Sequence, residues 1–281
     1  MLEQIFLNSD DFIYRDIYLE NSNTSSLLVC IDGMAERDLI GEHILSPLQV
    51  EDNKENNRID LKKIKEKLVT TLEVKISGNF NQLERSLLSG NTLLFIEGYK
   101  QALMIGTTGW ETRNIESPAS EETIGGFCEG FVESIKTNIS LIRKRAKTSK
   151  LAVELLEVSR KTRTNIALVY LKGVINQELV DEVKARIKSI DTDGIVGSAQ
   201  IEQLIENHKW SIFPQILATE RVDKTVCSIL EGRITIIVDG IPFVLIAPVT
   251  FTIFLNSPND YYERSITSSA MRIIRYISNL A

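Results

Sequence analysis

Histidine is nearly missing. Only His43 and His208 occur in 281 residues, which excludes a metal site built from several imidazoles. Cysteine is almost as rare. Cys30, Cys128 and Cys227 stand far apart and make no CxxC pair, so no ligand spacing supports a mixed cysteine–carboxylate site. An odd, sparse count fits a reducing compartment, not a disulfide framework. Positive charge is in deficit. The formal net charge is -6, so no whole-chain basic field points to nucleic acid. The acidic, interrupted start "MLEQIFLNSDDFIYRDIYLE" lacks the make-up of a secretory leader. Long apolar runs are also scarce. The best one, 236–255, contains Asp239, and Asp-Gly-Ile-Pro reads as a turn. Its uncharged part, 241–255, is shorter than the roughly 20 residues of a span, so strands and a soluble chain are expected. What remains is ordinary: 43% hydrophobic and 25% charged residues argue against disorder, and the length suits one or two domains.

Catalytic sets are absent from the pattern too. "GTTGWET" lacks the Lys-Ser/Thr ending of a phosphate loop. "GGFCEG" (Gly125, Gly126, Gly130) reads as close backbone packing, with an anion cradle as the alternative. Cys128 has no histidine near it in sequence and reads as a buried small side chain. No nucleophile, base and electrophile come together, so neither an enzyme nor a cofactor or metal is expected.

What is present is a repeat. "SLLSGNTLLFIEGYKQALMI" (86–105) lies without gaps on "SILEGRITIIVDGIPFVLIA" (228–247), sharing Ser86/Ser228, Leu88/Leu230, Gly90/Gly232, Gly98/Gly240 and Leu103/Leu245. Each copy reads as a helix end closed by Gly, an apolar run, an acidic-Gly turn and a second apolar run. Earlier in each half, "LLVCIDGMAERDLI" (27–40) lies on "ALVYLKGVINQELV" (167–180), sharing Leu28/Leu168, Val29/Val169, Gly33/Gly173 and Leu39/Leu179. The separations agree: Gly33 to Gly90 is 57 residues and Gly173 to Gly232 is 59. Two related, consecutive α/β lobes follow, each a small mixed sheet flanked by helices.

The expected order in the first lobe is strand 26–31, helix 35–45, loop 49–58, helix 59–68, strand 70–76, helix 80–88 and hairpin 92–105. In the second it is strand 165–171, helix 176–190, helix 198–207, strand 215–218, helix 223–231 and hairpin 234–248. Alternating strands and helices suggest a mainly parallel sheet with an antiparallel hairpin edge. The expected domains are 1–110, a connector 111–164 and 165–281. Within the connector Ser117 and Pro118 fit an N-cap and N1. Phe131, Ile135, Ile139 and Ile142 mark one stripe of an amphipathic helix, and "LAVELLEVS" could be a strand. Ser257, Pro258 and Asp260 fit the start of a last helix striped by Tyr262, Ile266, Ile273, Ile277 and Leu280.

Two charged segments stand out. Between Lys136 and Arg163 lie nine Lys/Arg, opposed only by Glu154 and Glu157. They read either as a solvated face or as a surface for anionic lipid, an acidic partner or the other lobe. "FPQILATERVDK" places Thr219, Glu220, Arg221 and Asp223 at a helix start, where the first lobe has the uncharged "SGNFNQ". An ion-pair cluster with the basic tract is the favoured reading and a ligand site the alternative.

These motifs in order, with "ILEGRITIIVDGIPFVLIAP" and "NSPNDYYERS…MRIIRYIS", resemble the GerA-type spore germination proteins, and within them the N-terminal soluble domain of the A subunit of a spore nutrient-germinant receptor. The family's Asn-x-x-Leu-x-Arg-x-Arg pattern matches Asn138, Leu141, Arg143 and Arg145. Its Thr-Glu-Arg-Pro-Asp pattern matches Thr219, Glu220, Arg221 and Asp223, with Val222 in place of Pro. Its Gly-Arg segment matches Gly232 and Arg233, and its Asp-Tyr-Tyr matches Asp260, Tyr261 and Tyr262. The family's Glu-Pro and Arg-Gly-Pro run is missing near "ESPASEETIGGFCEG", so no role is carried to that loop. The resemblance implies two lobes distantly like solute-binding proteins, B and C subunits as partners, and a membrane region after this chain. It also implies the inner spore membrane as location with this domain facing the spore core, and nutrient sensing without catalysis. A small-molecule site for an amino acid, sugar or nucleoside between the lobes is the alternative. The candidate interface or ligand cluster is Asn138, Arg143, Arg145, Thr219, Glu220, Arg221, Asp223, Arg233, Asp260 and Tyr261.

Overall fold

The computed structural model describes residues 2–19, 24–52, 61, 64, 65, 71, 73–109, 129–195, 197–206, 214–250 and 265–280. The chain divides into two compact units, Met1–Thr112 with Arg143–Lys150, and Arg113–Ile142 with Leu151–Ala281.

The first unit holds α1 (Leu2–Ile5), β1 (Phe12–Leu19), β2 (Thr24–Ile31) and α2 (Arg37–Ile40). A π-helical turn (Gly41–Leu45) then runs into α3 (Ser46–Asp52). After these come β3 (Val74–Ser77), α4 (Phe80–Leu87), β4 (Thr92–Ile96) and β5 (Ala102–Ile105). Its sheet has the order β1-β2-β4-β5-β3. α4 begins where Asn79 Oδ1 accepts the Asn81 N–H at 2.9 Å, a side-chain N-cap, and it buries Leu83 and Leu87. One sheet face, with Leu28, Cys30, Leu94 and Leu103, packs on Ile40, Ile44 and Leu48. The other, with Val29, Ile31 and Leu93, packs on Phe6, Leu83 and Leu87. Burial, then the nearby Asp32, pushes the Cys30 thiol up to about 11, so it sits in the core as a small apolar group.

A single helix, α5 (Ile135–Arg145), leads into the second sheet. That sheet is built from β6 (Leu151–Val158), β7 (Thr164–Leu171), β8 (Leu217–Thr219), β9 (Ile234–Val238) and β10 (Val244–Ala247), with α6 (Gln177–Lys188), α7 (Ser198–Ile205) and α8 (Val222–Leu230) between them. Asn176 Oδ1 caps α6 by accepting the Glu178 N–H at 3.0 Å. Val180, Val183 and Ile187 of α6, with Ile201 and Ile205 of α7, cover the face carrying Ile166, Leu168, Ile236 and Leu245. The last described element is α9 (Ser265–Leu280).

The order in the second sheet is β6-β7-β9-β10-β8, the same topology as the first. The registers agree as well. Leu28 faces Leu94 and Leu168 faces Ile236, Thr92 faces Ile105 and Ile234 faces Ala247, and Ile76 faces Leu103 as Ala218 faces Leu245. Apart from Ile76 and Ala218, these positions lie in the segments that the sequence repeat superposes, so the two similar lobes are a duplicated unit.

The sheets correct the expectation of mainly parallel strands, since every paired strand is antiparallel. β3–α4–β4 is a crossover between strands of like direction, but β5 lies between them, so no parallel neighbours meet. Each sheet also opens with a long hairpin. β1 pairs with β2 over eight residues, and β6 with β7 over eight. β1 comes from the acidic N-terminal stretch that yields no element by pattern, whereas β6 is the strand offered by "LAVELLEVS", within the segment assigned to the connector. Two smaller differences follow. α3 runs through Gln49–Asp52, the start of the expected loop. The helix at 59–68 is described only at Leu61, Ile64 and Lys65. Ser117, Pro118, Gly125, Gly126, Cys128 and the residues from Ser257 to Tyr262 lie outside the described residues.

The three glycine pairs that the repeat shares all have positive φ: Gly33 and Gly173, Gly90 and Gly232, Gly98 and Gly240. At Gly90 (φ 89°) an added Cβ would meet the Met34 carbonyl oxygen at 2.8 Å, whereas at Gly98 nothing lies within 4 Å. Gly90→Ala is expected to cost about 3 kcal/mol, strain plus clash, and Gly98→Ala only about 1, the left-handed backbone alone. Urea unfolding of both variants measures the gap.

Candidate functional site

The segment before the second lobe's helix is a modified copy of one in the first. Ser77 Oγ accepts the Asn79 N–H at 3.0 Å, and Thr219 Oγ1 accepts the Arg221 N–H at 3.2 Å. Each hydroxyl shapes the turn from edge strand into helix. At the next position the copies part. Asn79 caps α4 with its own side chain, while Arg221 makes no side-chain cap to α8. Arg221 instead donates through Nε to Asp223 Oδ1 (3.0 Å) and through Nη2 to Asp223 Oδ2 (2.6 Å). Asp223 Oδ1 also accepts the Lys224 N–H at 2.9 Å, which puts the carboxylate at the positive end of α8. The guanidinium is 2% exposed, so the bidentate pair is inside the protein.

The backbone beside Arg221 holds a second strand of chain. Gly130 and Arg221 form an antiparallel bridge, and the Phe131 N–H donates to the Glu220 carbonyl at 2.8 Å. Further along, the Gly240 N–H donates to the Glu133 carbonyl at 2.8 Å, and Asp239 Oδ1 accepts the Ile135 N–H at 3.3 Å. Asp239, legible in sequence only as a turn acid, therefore stands at the first residue of α5. Asn138 completes the clamp. Its Oδ1 accepts the Val132 N–H (2.8 Å) and its Nδ2 donates to the Val132 carbonyl (2.6 Å). Fully buried, it pairs a side-chain amide with a backbone amide as a strand neighbour would.

α5 corrects the expected amphipathic helix. Every residue from Thr137 to Arg143 is buried. Its supposed polar face carries Thr137, Asn138 and Ser140, which satisfy themselves locally: the Ser140 hydroxyl donates to the Thr137 carbonyl at 2.7 Å. Arg143, 1% exposed, is paired with Asp11, which is 5% exposed. Nε donates to Oδ2, and Nη2 donates to Oδ1 at 2.7 Å. Asp11 was not among the candidate residues, because its partner lies 132 positions away and no local spacing reports it.

Beyond α5, two cations of the basic tract are held in surface ion pairs. Arg160 pairs with Asp191 (2.5 Å) and Lys161 with Asp193 (2.6 Å), all largely exposed. Glu154 accepts from Lys184 (2.6 Å) and from the Tyr170 hydroxyl (2.5 Å). Arg145, in the last turn of α5, is half-buried. Arg233 pairs with Glu231 at 2.8 Å. Asp260 and Tyr261 lie outside the described residues. Thus Arg221 joins Asp223 and Arg143 joins Asp11, and the motif residues hold loops and helix ends from within. Among the described residues no group of three His, Cys, Asp or Glu could hold a metal ion, and no helix is long and apolar enough to cross a membrane.

The chain as a whole matches known proteins. Residues 1–281 match the family model described as Bacillus/Clostridium GerA spore germination protein. Spore germination protein KA of Bacillus subtilis (strain 168) is 38% identical over 96% of this chain and 50% of its own length. The uncharacterized membrane protein YfkQ of the same organism is 34% identical over 95% of this chain and 52% of its own length. This chain therefore spans about half the length of these relatives. The crystal structure of the N-terminal domain of the A subunit of the Bacillus megaterium spore germinant receptor GerK3 superposes with a TM-score of 0.68 at 34% identity, covering 89% of this chain and 92% of that one. The chain belongs to the GerA family of spore germination proteins.

Proposed function

We propose that this chain is the N-terminal part of the A subunit of a spore germinant receptor and takes part in the nutrient response that triggers germination. The observation that carries this is the match to the GerK3 A-subunit domain over nearly the whole of both chains. In this reading the partners are the B and C subunits. A membrane-spanning region follows the domain, in line with the relatives' greater length and the name of YfkQ. The full protein resides in the inner spore membrane with this domain facing the core, and its part is structural and signalling, not catalytic. The chain passes between the compact units at 112/113, 142/143 and 150/151, and the second of these lies inside α5, which makes that helix the element through which a signal would pass. Disrupting the gene is expected to abolish germination with at least one amino acid, sugar or nucleoside, with recovery on restoring it. Disrupted spores that answer every nutrient the parent answers would sink the proposal.

A second reading has its own observation. A groove of about 410 Å³ in the first lobe is lined by Glu73, Lys75, Gln82, Arg85, Asn91 and Met104. Polar groups of both signs beside Met104 suit a small polar molecule. In the second lobe the repeat puts Leu217 and Cys227 where Lys75 and Arg85 stand, so the fold does not require those charges. A nutrient that raises the melting temperature of the chain, but not of the Lys75→Gln/Arg85→Gln variant, would support direct binding.

A further inference from the structure

The two copies of the sheet are not covered alike. In the second lobe α5 starts on the turn after β9, where Asp239 Oδ1 accepts the Ile135 N–H and the Gly240 N–H donates to the Glu133 carbonyl. β6 starts at the other end of that sheet, since Leu151 faces Leu171 whereas Ile166 faces Val238 beside the turn. Between Ile135 and Leu151 the chain therefore travels the length of the sheet. α6 and α7 cover one face, which leaves α5 the other. On that face Val153, Ala167 and Ile237 are wholly buried.

The first lobe keeps the turn and leaves the strip beside it open. Glu97 stands at the Asp239 position: its N–H donates to the Ser25 carbonyl at 2.9 Å, as that of Asp239 donates to the Asn165 carbonyl at 3.0 Å. By register Tyr14, Leu27 and Phe95 take the places of Val153, Ala167 and Ile237. Tyr14 is 56% exposed, and Leu27 and Phe95 are half-buried. Tyr18, 62% exposed and opposite Ser25, extends the strip toward Glu97. Two charges flank these apolar groups, Asp16 and Glu97, both acidic and both exposed. An exposed apolar strip with a polar rim marks an interaction surface.

We propose that this strip binds an α-helix of another polypeptide, seated as α5 is on the second lobe. Its N-terminus meets Glu97, its aliphatic side lies on Tyr14, Leu27 and Phe95, and cations on its flank face Asp16. The duplication gives the shape of the occupant, because the same turn in the other copy already receives a helix. Charge gives its sign: Glu97 complements the positive end of a helix, and Asp16 complements lysine or arginine. The proposal goes beyond the receptor reading and stands without it.

The test uses the 281-residue chain and a fluorescein-labelled peptide of residues 132–146, VESIKTNISLIRKRA, which carries the helix that the second lobe holds. Anisotropy is expected to show saturable binding. It should weaken roughly fivefold or more for Asp16→Lys and for Tyr14→Ser/Tyr18→Ser, with unchanged melting temperatures, since all three residues are exposed. A peptide carrying Lys136→Glu, Arg143→Glu, Lys144→Glu and Arg145→Glu should bind more weakly by a similar factor. Photocrosslinking locates the site independently of any folding defect. p-Benzoylphenylalanine at position 14 should join to the peptide, whereas at position 15, on the opposite face of β1, it should not. Absence of saturable binding, equal binding by the variants, or equal crosslinking from positions 14 and 15 overturns the proposal. So does crosslinking from position 14 between two copies of the chain with none to the peptide, which gives the strip to a second copy. None of these failures touches the germinant-receptor reading, whose test is spore germination.

Discussion

Arg143→Met is expected to lower the unfolding free energy by about 3–5 kcal/mol, because it leaves Asp11 buried with no opposite charge. Both side chains are almost wholly inside, at 1% and 5% exposure. Asp11→Leu should be comparably harmful, since it removes the buried carboxylate to which Nε and Nη2 both donate. The informative variant is the double one. With Asp11→Leu and Arg143→Met together, neither member of the pair is left facing the other's absence, and at least half of the single-variant loss should return. Urea unfolding of the four proteins gives the coupling energy. Additive losses would show that the two groups do not act as a pair. The practical consequence concerns germination assays: a defect in an Arg143 variant first reports a damaged fold. Arg145, half-buried at the end of the same helix, is the better position for probing signalling.

Asn138→Ala should cost about 2–5 kcal/mol, since it leaves both the Val132 N–H and carbonyl to find new partners in a buried setting. Asn138→Asp tests the geometry more sharply. The aspartate keeps the shape and can still accept the Val132 N–H, but it turns a donor into an acceptor facing the Val132 carbonyl. It should therefore be at least as destabilising as alanine. Hydrogen exchange adds a local readout. The Phe131 and Gly240 amides, which donate to the Glu220 and Glu133 carbonyls, should lose protection before the β9–β10 ladder does. An Asn138→Asp protein with wild-type stability and unchanged exchange at Phe131 would show that the clamp is dispensable.

The duplication was legible because its landmarks are glycines that no other residue replaces cheaply. A backbone at φ near 80–90° leaves a sequence trace, and three such traces recur at matched spacing. Strand direction left none. Alternating apolar runs show that strands exist but not which edges meet, so the crossover β3–α4–β4 suggested parallel neighbours that β5 in fact separates. β1 was hidden by its place at the edge of the sheet, where Tyr14, Arg15 and Asp16 are exposed and the apolar signal is diluted. At the candidate site, the peculiarity of Arg221 was readable from its absence in the first copy. Its pairing with Asp223, two residues on, was within reach of the same comparison. Asp11 and Asp239 were not, because contacts spanning 132 and 104 positions are set by tertiary packing alone. The burial of α5 was missed because threonine, serine and asparagine count as polar by type, whatever hydrogen bonds they make locally.

The allotment of residues to the two units bears on how such a gene can be cut. A fragment ending at Thr112 forfeits Arg143, the counter-charge of Asp11. One starting at Leu151 forfeits Gly130, Phe131 and Glu133, and with them backbone partners of Arg221, Glu220 and Gly240. Any lone scission thus orphans polar groups on at least one side, so expression of single halves, or their exchange between paralogues, calls for two joints placed together instead of one.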